Sequence, residues 1–160
     1  MKLTYTTAAI ALLLAVTGCA SQNPTNAATW ANGSCSTSKP GTTLTIDFKG
    51  QVKTHCALEF TGNSWDLLKA AGFNVRGTDK YPTAFACLIN GQPSTAKCDG
   101  TDPVNAYWAY LLGTNGKYDY ATTGASDHKA VCGTSEAWVF TETATVPMEN
   151  LPTPTEFNCK

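Results

Sequence analysis

The chain has 160 residues, of which 42% are hydrophobic and only 14% are charged, and its formal net charge at pH 7 is -1. A chain of this length can bury one core of ordinary size, so a single domain with tails is expected. The near-neutral charge excludes the strongly basic surface on which nucleic-acid binding depends, and we expect no nucleic-acid partner.

Residues 1–18 are predicted to form a lipoprotein signal peptide. Lys2 supplies a positive start, and residues 8–16 are an apolar run that is too short to span a bilayer stably. The run closes with Val16-Thr17-Gly18-Cys19, which resembles the bacterial lipobox, whose cysteine is acylated and becomes the first residue of the mature protein. This resemblance implies export and a membrane partner through a lipid anchor on Cys19. An ordinary secretory signal or an uncleaved anchor is the alternative.

Residues 19–34 are interpreted as a flexible tether, because they are polar, small and without periodicity. Ala20-Ser21, with no aspartate after the cysteine, resembles an outer-membrane sorting signal in a host with two membranes. The expected location is therefore extracytoplasmic and membrane-anchored, at the outer membrane if the host has one. Trp30 lies inside this tether, and we expect it to dock on the flank of its own domain.

Six cysteines follow Cys19, and an even number in an exported chain indicates disulfides in an oxidising compartment. No pair has the C-x-x-C spacing of a zinc site, and the two histidines are not placed as a second ligand pair, so no metal site is expected. Asn90-Gly91 forms a turn between two of the cysteines, which favours pairing in sequence order. The predicted disulfides are Cys35 with Cys56, Cys87 with Cys98, and Cys132 with Cys159.

In the first half of the domain, residues 42–48 alternate, with Leu44, Ile46 and Phe48 on one face, which predicts a half-buried strand. A reversal at residues 49–51 leads to a hairpin partner over 52–58. Asn63 or Ser64 can then cap a helix over 65–71 that stops at a glycine.

The second half contains further strands over 84–89, 106–112 and 136–141. A turn over 113–117 leads to Tyr118-Asp119-Tyr120 and then to a loop over 121–130. Residues 146–160 are rich in proline, cannot be regular structure, and are expected to be pinned by Cys159. The predicted fold class is α+β, a small and mostly antiparallel sheet with one packed helix, stapled by disulfides.

The order of the motifs S-W-D-L-L-K-A-A-G-F, F-A-C-L-I-N-G, A-Y-W-A-Y and E-A-W-V-F resembles a family of exported bacterial domains similar to the C-terminal domain of transcobalamin and intrinsic factor. The likeness covers roughly residues 42–141 and implies a β-grasp-like, ligand-binding domain over 35–145. It also implies a corrinoid such as cobalamin as the ligand. The residues that match the ligand-facing strand and turn of that family are Tyr107, Trp108, Tyr110 and Tyr118.

No catalytic group stands out, so we expect no enzyme. The sequence has no G-x-S-x-G, its remaining cysteines are expected in disulfides, and Asp99, Asp102 and Asp119 have no spacing that sets them at a shared site. His128, beside Asp127 and Lys129, is interpreted as a solvated loop histidine, with a metal or cobalt ligand as the alternative.

The predicted function is therefore a membrane-anchored, non-catalytic module of the cell envelope that binds a small ligand. The first alternative is a structural or protein-interaction lipoprotein, which would dock a partner through an exposed sheet edge or an aromatic patch. A hydrolase is the second alternative.

Overall fold

The structure is a computed structural model that describes residues 30–159. The signal peptide, the acylation of Cys19 and most of the predicted tether lie outside these residues. Within them, the elements are β1 (Trp30–Asn32), β2 (Gly41–Phe48), β3 (Gln51–Leu58), β4 (Gly62–Asn63), α1 (Ser64–Ala70), β5 (Val75–Gly77), β6 (Ala86–Ile89), β7 (Tyr107–Thr114), β8 (Lys117–Tyr120), β9 (Lys129–Ala130) and β10 (Ser135–Thr141). No helix of this part of the chain is long and apolar enough to cross a membrane.

The central sheet has six strands in the order β1-β3-β2-β10-β7-β8. All neighbouring pairs are antiparallel except β2 and β10, which run parallel at the centre of the sheet. Two small sheets, β4 with β9 and β5 with β6, lie outside it. The prediction of an α+β domain with a mostly antiparallel sheet, one helix and disulfides is confirmed.

Local sequence signals explain the hairpins and the helix. Lys49 and Gly50 have φ angles of 54° and 83°, which are the values that a two-residue hairpin turn requires between β2 and β3. The side chain of Asn63 caps α1 by accepting a hydrogen bond from the backbone N–H of Asp66 at 2.8 Å, and the chain leaves the helix through Gly72 at φ 84°.

One face of the central sheet, here called the helix face, carries Leu44, Ile46, Trp138 and Phe140. Trp65, Leu67 and Leu68 of α1 pack against this face, and all seven side chains are buried. Because side chains alternate along a strand, the intervening residues point to the opposite face.

The opposite face, here called the tail face, is covered by the C-terminal segment. Val146, Met148 and Leu151 lie against Ala109, Leu111, Ala137 and Val139. The prediction of a half-buried β2 is wrong, because every residue from Gly41 to Asp47 is buried. On the face that the alternation assigns to solvent, the hydroxyl of Thr43 accepts a hydrogen bond from the backbone N–H of Cys35 at 2.9 Å, and the hydroxyl of Thr45 lies 3.1 Å from that of Thr54.

Three disulfides link Cys35 with Cys56, Cys87 with Cys98 and Cys132 with Cys159, in the predicted sequential order. The last of them closes the tail over the sheet. The hydroxyl of Ser135 also donates to the carbonyl of Thr155 at 3.0 Å, so the tail is fastened to β10 by a hydrogen bond as well.

The domain begins earlier in the chain than the sequence predicts. β1 occupies part of the stretch 19–34 that was interpreted as tether, and it pairs with β3. The indole of Trp30 stacks on the imidazole of His55, with ring centroids 4.1 Å apart. The ordered domain thus includes Trp30, which docks on the domain's own flank. The strand predicted over 84–89 also differs in the structure. It begins at Ala86, as β6, and it pairs with β5 outside the central sheet.

Candidate functional site

Glu136 is a carboxylate buried on the helix face of the central sheet. It lies in β10, two residues before Trp138, and only 1% of its surface is exposed. Burial of a charged group without partners is costly, so its neighbours decide what it can do.

Three polar side chains surround this carboxylate. The hydroxyl of Ser64 donates to Oε1 at 2.9 Å, and the hydroxyl of Tyr110 donates to Oε2 at 3.0 Å. Nε2 of His128 lies 3.9 Å from Oε1, which is beyond hydrogen-bond distance but close enough for electrostatic attraction when the ring is protonated. We call Ser64, Tyr110, His128 and Glu136 the Glu136 cluster.

Each member comes from a different element. In the β7–β10 ladder, Tyr110 lies opposite Trp138, so it shares the helix face with Glu136. Ser64 is the first residue of α1, and its backbone N–H donates to the carbonyl of His128 at 3.0 Å. The cluster therefore fastens the start of the helix and the loop before β9 to the central sheet.

The same burial shifts the pKa values of the cluster. Burial raises the pKa of Glu136 from 4.5 to about 7, although the hydrogen bonds from Ser64 and Tyr110 oppose this rise. Burial and the neighbouring Glu136 charge raise the pKa of Tyr110, and burial lowers the pKa of His128. Glu136 thus exchanges its proton close to neutral pH.

Only two members of the cluster reach solvent. Ser64 and Glu136 are buried, whereas Tyr110 is half-buried and 30% of the His128 side chain is exposed. The rings of Tyr110 and His128 lie edge to face with centroids 6.2 Å apart, and Tyr110 also stacks on Trp138 at 4.8 Å. The part of the cluster that reaches solvent therefore consists of the rings of Tyr110 and His128, which contact each other beside the buried Glu136.

The four predicted ligand residues do not share a surface. Trp108 and Tyr110 lie on the helix face, whereas Tyr107 and Tyr118 lie on the tail face. Strand alternation is the reason, because Tyr107 precedes Trp108 directly and Tyr118 lies opposite Gly113 in the β7–β8 ladder.

These residues also differ in exposure. Trp108 is buried, and its indole N–H donates to the carbonyl of Gln92 at 3.2 Å. Tyr118 is buried under the tail, burial raises its pKa, and its hydroxyl has no hydrogen-bond partner within residues 30–159. The hydroxyl of Tyr107 lies 3.2 Å from that of Tyr120 near the surface. Tyr110 is the one predicted residue that belongs to the Glu136 cluster.

The structure adds residues that sequence reasoning missed. Glu136 and Ser64 were not singled out, although a lone carboxylate in the apolar run S-E-A-W-V-F is itself a signal of a buried polar site. His128 was interpreted as a solvated loop histidine, but it packs beside Glu136 and Tyr110. His55, by contrast, stacks on the rings of Trp30 and Phe73 and lies outside this cluster.

No family model, curated protein or solved structure matches the chain. Across the described residues, no group of three or more His, Cys, Asp or Glu side chains is arranged to hold a metal ion. The resemblance to the transcobalamin C-terminal domain stays a prediction.

Proposed function

We propose that this chain is an exported lipoprotein, anchored by acyl chains on Cys19, whose β-grasp-like domain binds a small ligand without catalysis. The lipobox at residues 16–19 supports the anchor. Three disulfides support an oxidising compartment outside the cytoplasm. The motif resemblance supports the ligand-binding domain type.

The observation that carries ligand binding is the Glu136 cluster. Strongly perturbed pKa values concentrate at functional sites, and here a buried carboxyl group with a raised pKa lies directly behind two partly exposed rings. Rings offer apolar stacking area, while His128 and the Tyr110 hydroxyl offer hydrogen bonds. The proposed ligand is accordingly small, flat, partly apolar and equipped with polar groups at its rim.

The absence of catalysis is part of this proposal. Ser64 is the hydroxyl closest to a potential base, but it is fully buried and its hydrogen bond is made to Glu136. A nucleophile must reach the substrate, and this one cannot without unfolding the start of α1. The cluster is better suited to hold a ligand than to attack one.

A corrinoid is the first ligand to test, because the family resemblance implies it. The animal proteins enclose the corrinoid between this type of domain and a helical domain, so a single domain buries less of the ligand. We therefore expect an affinity of roughly micromolar or poorer.

Calorimetry with cobalamin and cobinamide, at ligand concentrations well above that value, tests the proposal. We expect His128→Ala and Tyr110→Phe to weaken binding at least several-fold. Tyr107→Phe is the matched control, because it removes a hydroxyl from the same strand on the opposite face. Absence of heat with both ligands, or equal loss in the control, would contradict the proposed site.

A protein-interaction role is the second candidate, and a different observation favours it. Tyr81 and Phe85 are 45% and 60% exposed, and their rings contact each other edge to face at 5.2 Å. The backbone N–H of Phe85 donates to the carbonyl of Tyr81 at 3.3 Å, so the two rings project from one hydrogen-bonded stretch of the loop. A purified envelope protein that binds the wild type but not Phe85→Ala would move the assignment to this role.

A further inference from the structure

β8 is the outermost strand of the central sheet at one side. It pairs with β7 through Lys117–Thr114, Tyr118–Gly113, Asp119–Leu112 and Tyr120–Leu111. Within residues 30–159, no strand pairs with its other edge. An open edge presents backbone donors and acceptors to which another strand can add.

The hydrogen-bond pattern identifies which backbone groups face outward. The N–H of Ala121 donates to the carbonyl of Tyr110 at 3.0 Å, so Ala121 and Tyr110 form a hydrogen-bonded pair. Such pairs recur at every second residue of an antiparallel ladder. Asp119 and Lys117 therefore bond to β7, and the N–H and C=O groups of Tyr118 and Tyr120 point away from the sheet.

Two exposed side chains of β8 carry opposite charges on the two sides of Tyr118. Lys117 and Asp119 are both exposed, lie on the same face of the strand, and flank Tyr118 with opposite charges. Charged residues on an edge strand usually prevent pairing, because a second strand would meet them unpaired. Here their spacing makes the edge complementary to itself.

We propose that two copies of this chain pair through β8, antiparallel and about a twofold axis at Tyr118, and so form one continuous sheet. In this arrangement the two copies of Tyr118 exchange backbone hydrogen bonds. Lys117 of each copy then lies opposite Asp119 of the other, in a pair without backbone hydrogen bonds, where side chains approach most closely. The interface is isologous, as twofold dimers require.

Charge also selects the register. A shift that pairs Tyr118 with Tyr120 of the second copy would still match outward backbone groups. It would, however, place the two Asp119 carboxylates directly opposite each other, which is unfavourable. The register centred on Tyr118 is preferred because of these charges, while its backbone hydrogen bonds are those between the two copies of Tyr118, since Tyr120 then lies opposite Gly116 in the hairpin turn of the second copy.

The interface is small, since only four residues of each copy belong to the strand. Contacts of this size give weak association, and we expect a dissociation constant of roughly 0.1–1 mM in solution. If both copies are held on one membrane, their effective concentration rises and the same contacts suffice.

Sedimentation of the mature, non-acylated chain up to about 1 mM, the upper end of that range, tests the proposal. We expect the wild type to dimerise, and Lys117→Asp and Asp119→Lys each to associate at least tenfold more weakly, because each single change sets like charges opposite one another. An equimolar mixture of these two variants restores both opposite-charge pairs and should dimerise again. The double variant Lys117→Asp/Asp119→Lys should also recover.

A backbone variant provides an independent readout. Tyr120→Pro removes an outward N–H without removing a hydrogen bond to β7. In the register centred on Tyr118 this N–H lies opposite the turn residue Gly116, so the dimer should persist, whereas a dimer in the register that pairs Tyr118 with Tyr120 would lose backbone hydrogen bonds and dissociate. Tyr120→Phe is its control, because it also loses the hydroxyl contact with Tyr107 but keeps the N–H. A monomeric wild type at about 1 mM, or a dimer that both single charge variants leave unchanged, would overturn the proposal.

Discussion

Glu136→Gln isolates the energetic effect of a buried carboxyl group that titrates near neutral pH. The pKa of Glu136 is about 7 in the folded chain and 4.5 for an unperturbed glutamate. At about 1.4 kcal/mol per pKa unit, ionisation of this group costs the folded state roughly 3 kcal/mol relative to the unfolded state. Glutamine has the same shape and never ionises, so it removes this cost.

The direction of the pH dependence follows from the raised pKa. Protonated Glu136 is favoured in the folded state, so its contribution is fully present below pH 4.5 and is lost as the pH rises to about 7. The wild type should therefore lose stability across this window relative to the variant. Near pH 4.5 the variant should be equal or less stable by about 1 kcal/mol, because one hydroxyl hydrogen bond must rearrange.

Above pH 8, well past the titration of Glu136, the variant should be more stable by about 2–3 kcal/mol. Ser64 can accommodate the amide, since its hydroxyl already lies 3.4 Å from the carbonyl of His128 and can donate there instead. The pKa of His128 is lowered by burial, so its contribution is present above pH 6.5 and is lost as the pH falls. Because Nε2 of His128 lies 3.9 Å from Oε1 of Glu136, the variant also lacks the attraction between an ionised carboxylate and a protonated ring. The comparison above about pH 8, where the ring is neutral, therefore isolates the carboxyl group.

Urea unfolding under non-reducing conditions, followed by tryptophan fluorescence at several pH values from about 4.5 to 8.5, measures this difference directly. A carbon-13 titration of labelled glutamate side chains reports the pKa of Glu136 independently. Parallel stability profiles for the two proteins, together with an unshifted Glu136 resonance, would refute the reasoning.

Three further perturbations test other parts of the structure. Trp30→Ala removes the stacking contact between β1 and His55. Chemical unfolding should show a free energy of unfolding that is lower by about 1–2 kcal/mol. An unchanged midpoint would mean that this contact does not contribute to stability. Replacing both Cys132 and Cys159 by serine removes a disulfide between residues 27 apart in the chain. The free energy of unfolding should fall by about 3.5 kcal/mol, and hydrogen exchange in β10 should increase. Unchanged exchange would show that the tail stays docked without its disulfide. Cys19→Ala should abolish incorporation of labelled palmitate and release the chain from membranes, and retention of both would disprove the anchor.

The local elements were predictable because their determinants lie within a few residues. Asn90 and Gly91 adopt φ angles of 51° and 74°, as a tight turn with this sequence requires, and the Asn63 cap and the glycine at position 72 bracket α1. The sequential disulfides follow from the same local chain reversals, since the cysteines that pair are only 11 to 27 residues apart.

Short-range sequence patterns do not predict which distant strands pair. β2 and β10 are about 90 residues apart in the chain yet run side by side, and nothing in either strand specifies that partner. The burial of the second face of β2 depends on contacts with residues outside the strand, such as Cys35 and Thr54, which the periodicity of β2 does not report. The family resemblance implies Tyr107 and Tyr110 together as ligand residues, whereas alternation in β7 sends them to opposite faces.

The sequence by itself therefore determined the turns, the helix, the disulfide order and the fold class, because each depends on short-range chemistry. Tertiary structure alone decided that Glu136, Ser64, Tyr110 and His128 meet, since they come from four separate segments. It also decided that β8 lies at an open edge. Burial, and with it the raised pKa of Glu136, arises only when distant segments close over one another and exclude water.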